Sequence, residues 1–167
     1  MNKEEIIVQI NKTYERLTNL IISFSQEEIN TVPFPDSWTA AQVIVHVTKS
    51  NVSIAQALTM KAKTSHRSPD VRVQELKDIF LDFNTKLKSP DFILPEKDTY
   101  DKETIFTNLE RSISRLKEES EKVNLSDAIH HSAFGDITKL ELLHFVVYHT
   151  QRHIHQLKNI FQLVENN

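Results

Sequence analysis

Gly135 is the only glycine among 167 residues, and that scarcity narrows the possible folds more than any motif does. It excludes glycine-rich phosphate loops and removes, from most tight hairpins, the residue that reaches left-handed backbone angles at low cost. Apolar residues instead recur every three or four positions through long polar stretches, the period of an amphipathic helix. The expected class is all-α.

The periodicity predicts a first helix over about 3–24, with Ile6, Ile10, Tyr14, Leu17, Ile21 and Phe24 on one face. Pro33 and Pro35 then impose a loop, because each lacks an amide donor and restricts the residue before it. Thr39 and Gln42 have the spacing of a capping box, which places the start of a second helix carrying Val43, His46, Val47, Ile54 and Leu58 on one stripe. After the break at Ser65–Asp70, a shorter helix is expected from Leu76, Ile79, Phe80, Phe83 and Leu87, followed by an extended connection with Pro90 and Pro95. Ile105, Leu109, Ile113 and Leu116 mark a further helix over about 101–123, with KEESEK as its solvated end. A second capping box, Thr138 with Glu141, opens a last helix reaching about Val164. The sum is a four-helix bundle with one additional short helix between the second and third long ones, read as a single domain over 1–167.

A formal net charge of −3 without a Lys/Arg block argues against nucleic acid as a partner. The start, Met1-Asn2-Lys3-Glu4-Glu5, does not resemble a secretory leader, and no apolar run approaches membrane-spanning length. The expectation is a cytoplasmic protein with no membrane partner. With no cysteine, the chain has no disulfide, no thiolate ligand and no thiol nucleophile.

The segment YHTQRHIHQL carries the chemistry. At about 100° per residue, His149 and His153 differ by about 40° and lie one turn apart on the face shared by Leu142, Val146, Leu157 and Ile160. By the same arithmetic His155 lies about 160° from His153, and His144 about 140° from His149, so both point elsewhere. Two neutral imidazoles at i and i+4 can share one divalent ion, and His46, on the apolar stripe of another helix, can supply a third ligand across the bundle. The competing reading is structural: a single buried histidine is more often bonded to a carbonyl or carboxylate, and the pair lacks the glutamate of the HExxH protease motif. Three histidines falling independently on core stripes, each forgoing apolar burial, favour the metal.

FPDSWTAAQVIVHV and FGDITKLELLHFVVYHTQRHIHQL resemble, respectively, the Trp-Ser/Thr helix entry with its first histidine and the final HxxxH helix of the DinB/YfiT-like superfamily of metal-binding four-helix bundles. SPDFILP is similar to a connection found in one subgroup. The resemblance implies metal ligands at His46, His149 and His153, the residues also selected by helical phase. It also implies the activities known in that superfamily, transfer of low-molecular-weight thiols such as bacillithiol and a mycothiol-dependent isomerisation, and a possible homodimer.

The leading functional expectation is a metal-dependent S-transferase that delivers a low-molecular-weight thiol cosubstrate to a small-molecule electrophile. A hydrolase using metal-activated water and a non-catalytic metal-binding module are the alternatives. Imidazole accepts zinc, nickel, iron and copper, with zinc or nickel foremost here. Around the site, Gln156 either orients a ligand or is a solvated rim residue, and Ser50 and Asn51 either line the cavity or are ordinary polar rim. Trp38 is expected to pack over the bundle end, His130 and His131 to sit in a loop, and Glu141 to complete its helix cap.

Overall fold

The computed structural model describes residues 3–63 and 65–165. The outermost positions of the single-domain reading (1, 2, 166 and 167), the leader reading at Met1-Asn2 and residue 64 lie outside that range. Five helices, α1 (Lys3–Ser23), α2 (Ala40–Leu58), α3 (Val73–Leu81), α4 (Lys102–Lys122) and α5 (Lys139–Val164), are joined by a two-stranded hairpin, β1 (Ala128–His131) and β2 (Gly135–Thr138). The fold is a four-helix bundle of α1, α2, α4 and α5, with α3 in the connection between the second and third long helices. The main packing partners are α2 with α4, α3 with α5, and α5 with both α1 and α2. No described helix is long and apolar enough to cross a membrane.

The α1 stripe is buried throughout: Ile6, Ile10, Leu17 and Ile21 are inaccessible, and Tyr14 almost so. Burial of each such side chain contributes about 1.5–3 kcal/mol. Phe24, just beyond the helix, meets Phe161 edge-to-face at 4.9 Å. Both capping boxes form. The Thr39 hydroxyl accepts the Gln42 amide at 3.2 Å and the Gln42 side chain accepts the Thr39 amide at 3.0 Å. Glu141 and Thr138 repeat the exchange at the start of α5.

Two local features depart from the sequence expectation. The segment 128–138 is a hairpin, pairing Ile129 with Ile137 and His131 with Gly135. One glycine is enough for it: Gly135 takes φ 66° after a short loop, the left-handed position that such a turn requires. Lys63 extends the pairing by exchanging amide bonds with Ala128 at 2.8 and 3.0 Å. Secondly, α3 stops at Leu81, so Phe83 and Leu87 lie beyond it and are exposed, as is Ile79 within it; of the expected stripe only Leu76 is fully buried.

Candidate metal centre

His46 on α2 faces His149 and His153 on α5, and all three are at least nine-tenths buried. Their ring centroids are 4.5–5.1 Å apart. His149 Nε2 lies 3.1 Å from His46 Nε2 and 3.1 Å from His153 Nε2. One ligand nitrogen from each ring lies within 4.8 Å of the others, an arrangement that can hold a metal ion.

The tautomers follow from the outer nitrogens. His46 Nδ1 is 3.0 Å from the Ile93 carbonyl oxygen, which only accepts, so Nδ1 carries the proton and Nε2 presents a lone pair. His153 Nδ1 stands in the same relation to Gln156 Oε1 at 2.8 Å. Two lone pairs therefore converge on the third imidazole, whose Nε2 has at most one proton to donate. A hydrogen-bonded trio leaves this arrangement undersatisfied, whereas a shared cation satisfies every lone pair, and Nδ1–H bonds to carbonyl groups are the usual orienting contacts of ligating histidines. Nitrogens bound tetrahedrally to zinc sit about 3.3 Å apart, close to the two short separations here. The donor set fits a borderline divalent ion.

Burial also keeps the rings neutral, the form that binds metal. Desolvation lowers the His46 pKa, against a raising contribution from the Ile93 carbonyl. Desolvation, then the neighbouring His153 and His46, holds His149 well below the ordinary imidazole range. Desolvation and the adjacent His46 bring His153 to about 3.

The trio opens into a cavity of about 610 Å³. Its walls include Ile54, Phe80, Phe134 and Phe145, with Ser50, Ser53 and His131 among the polar groups. Trp38, half-buried at the bundle end, also brings its ring to 5.3 Å from His46. Arg152, beside His153, donates from Nη1 to the Asp82 carbonyl at 2.7 Å and from Nη2 to that of Thr85, tying the chain after α3 to α5.

Helical phase separates the remaining α5 histidines correctly. His155 is exposed and stacks on Phe83 at 4.1 Å, while His144 is buried against Tyr148, and neither joins the cluster. Gln156 touches a ring of the trio and Ser50 lines the cavity. Asn51 is neither a cavity residue nor an exposed rim residue: one further residue turns it about 100° toward α1 and α4, where it is buried, accepts the Tyr14 hydroxyl at 2.6 Å and donates to Ser112 Oγ at 3.1 Å. His130 and His131 belong to a strand rather than a loop, so successive side chains point oppositely. His130 pairs with Asp136 at the surface, and His131 lines the cavity. The alternation of Ile129, His131 and Ile137 was the available signal. Glu141 is inaccessible and saturated: it accepts both terminal nitrogens of Arg67 at 2.6 Å, the Arg72 amide and the Thr138 amide.

A helical bundle whose second and last helices converge three imidazoles defines a class of metal-site protein. The family model described as the DinB superfamily matches residues 9–157, and the chain belongs to that metal-binding superfamily. It is 24% identical over 158 residues to a Bacillus subtilis (strain 168) protein, the uncharacterised YuaE, covering 88% of this chain and 91% of the relative. Among solved structures it is similar to TT2238, a four-helix bundle protein, at TM-score 0.63 and 19% identity over 95% of this chain and 99% of the other. A conserved protein from Enterococcus faecalis aligns at TM-score 0.68 and 17% identity, covering 100% and 99% respectively. These structural likenesses concern the fold alone.

Proposed function

We propose that His46, His149 and His153 hold a divalent ion, zinc or nickel foremost, and that the protein is an S-transferase joining a low-molecular-weight thiol to a small electrophile. The observation that carries this reading is the convergence of three Nε2 atoms, with the outer nitrogens of His46 and His153 held by Ile93 and Gln156. When bound by the three imidazoles, the ion would supply Lewis acidity that lowers the pKa of a thiol in the cavity, its charge undiminished by any anionic group among His46, His149 and His153. The thiol proton leaves to solvent, the sulfur bonds to the electrophilic carbon, and the displaced group departs with its electron pair.

The chain's own residues position and exclude. Phe80 and Phe145 pack on His149 at 6.0 and 5.0 Å between ring centroids, restricting water around it. The Ala133 amide donates to His131 Nδ1 at 3.1 Å, which places the His131 proton on Nε2 as a hydrogen-bond donor in the cavity wall. Hydrolysis wants a carboxylate base, and the carboxylate in the wall among the described residues is the exposed Asp91. Thiol transfer requires no such base.

The test is metal analysis of protein purified without a histidine tag, followed by assay of a small thiol with an electrophile. The expected result is one ion per chain and thiol consumption that stops on chelation. Turnover needing metal but no thiol would select the hydrolase, and a stoichiometric ion with neither activity would select a non-catalytic module.

A further inference from the structure

Ile79, Phe83 and Leu87 have the spacing of a core stripe with Leu76, yet they are 41%, 45% and 38% exposed. The reason is the early end of α3 at Leu81, after which the chain runs irregularly past the cavity to the short turn Asp91–Ile93. Ile79 and Leu87 line the cavity over the three histidines, as does Phe92, which is 56% exposed. Deeper in the same cavity lie Ile54, Phe80, Phe134 and Phe145. Apolar surface therefore continues from the floor to the mouth, and at the mouth no described part of the protein covers it. Exposed apolar surface that is continuous with a concave site marks a place where a ligand completes the burial.

The polar groups of the wall do not suit a highly polar ligand. Arg152 donates from both of its terminal nitrogens to backbone carbonyls. Lys88 and Asp91 are solvent-exposed and of opposite charge, and the remaining polar groups include the hydroxyls of Ser50, Ser53 and Ser89 and the His131 ring. The cavity, about 610 Å³, is about four times the ~150 Å³ of an apolar cavity that takes up benzene. It has room for an extended body behind a small head.

We propose that the site takes an amphipathic small molecule, with a metal-seeking polar head at His46, His149 and His153 and an apolar body lying along Phe80, Phe134 and Phe145 to a mouth formed by Ile79, Leu87 and Phe92. The position of the head rests on the metal reading above; the position of the body rests on the cavity walls alone.

Straight-chain hydroxamic acids, from acetohydroxamic to octanohydroxamic acid, keep one metal-binding head while the body lengthens. Titrated into zinc-loaded protein, their dissociation constants should fall about fourfold per added methylene while the chain remains inside the cavity. Phe92→Ser, a change at an exposed position, should weaken octanohydroxamic acid several-fold and leave acetohydroxamic acid and zinc affinity unchanged. Affinity independent of chain length overturns the proposal. So does a Phe92→Ser protein that changes its mass in solution but retains the chain-length gradient, since the mouth would then belong to a second copy. Repeating the series on chelated protein separates the two readings. If only the metal reading fails, the gradient persists and zinc makes no difference to the head; if only the amphipathic reading fails, zinc-dependent binding remains without a gradient.

Discussion

At the scale of single residues, His153 and His155 offer the sharpest contrast in the chain: two positions apart on one helix, one is buried in the trio and the other is stacked on exposed Phe83. A metal bound only by the folded state adds RT ln(1 + [L]/Kd), about 2.7 kcal/mol when free metal is a hundred times Kd. His153→Ala should abolish most of the zinc-dependent rise in melting temperature and His155→Ala should leave it intact; thermal scans with and without zinc read both. Gln156 acts through its neighbour. Gln156→Leu removes the carbonyl that holds the His153 Nδ1 proton and should weaken metal binding about 10–100-fold, with little change in the stability of the metal-free protein. A competition titration against a chromophoric chelator measures the loss, and an unchanged affinity would show that the ring needs no such support.

At the scale of elements, Glu141 joins the start of α5 to the segment before α3. Burial raises its pKa, but the Arg67 hydrogen bonds and the Thr138 and Arg72 amides outweigh that and bring it below the ordinary 4.5. A carboxylate depressed in the folded state binds fewer protons there than in the unfolded chain, so its contribution is present above about 4.5 and is lost as pH falls through the folded value. Glu141→Gln should cost about 2 kcal/mol at neutral pH, below the ~3–5 kcal/mol of a fully buried pair because Arg67 retains partial access to water. It should also flatten the acid limb of stability against pH. Urea unfolding of both proteins across that range is the measurement, and parallel acid limbs would assign the acid sensitivity to other groups. The same carboxylate closes the capping box, so a motif readable from four consecutive residues also anchors a contact across 74 positions.

At the scale of the whole molecule, a buried polar chain crosses the bundle: the Tyr14 hydroxyl on α1 donates to Asn51 on α2, which donates to Ser112 on α4, whose hydroxyl donates to the Leu109 carbonyl at 2.7 Å. Tyr14→Phe leaves the Asn51 carbonyl oxygen without this donor and should cost about 1–3 kcal/mol in chemical denaturation, without touching the metal cavity. A neutral result would mean that water or a rearranged Asn51 replaces the phenol. All bonds of this polar chain are made in one rotational setting of the helices, whereas an apolar stripe alone tolerates rotation by a fraction of a turn; in the same setting His46 on α2 meets α5.

Helical phase is a local property, repeated every turn, and so the residues alone determined the four long helices, the two capping boxes, the short helix in the connection and the common face of His149 and His153. It also placed His46 on an inward stripe and kept His144 and His155 out of the cluster. What only the tertiary structure decided depends on partners distant in sequence. Asn51 faces Tyr14 and Ser112 because α1 and α4 pack on that side of α2. His131 turns inward because the hairpin pairs Ile129 with Ile137 and docks its apolar face, a result that no helical wheel contains. The uncovered mouth exists because α3 stops at Leu81 and the following chain is held by Arg152 at one end and by His46 and Lys49, through the carbonyls of Ile93 and Leu94, at the other. Irregular backbone has no period to read, and its path is set by the side chains from other elements that satisfy its carbonyls.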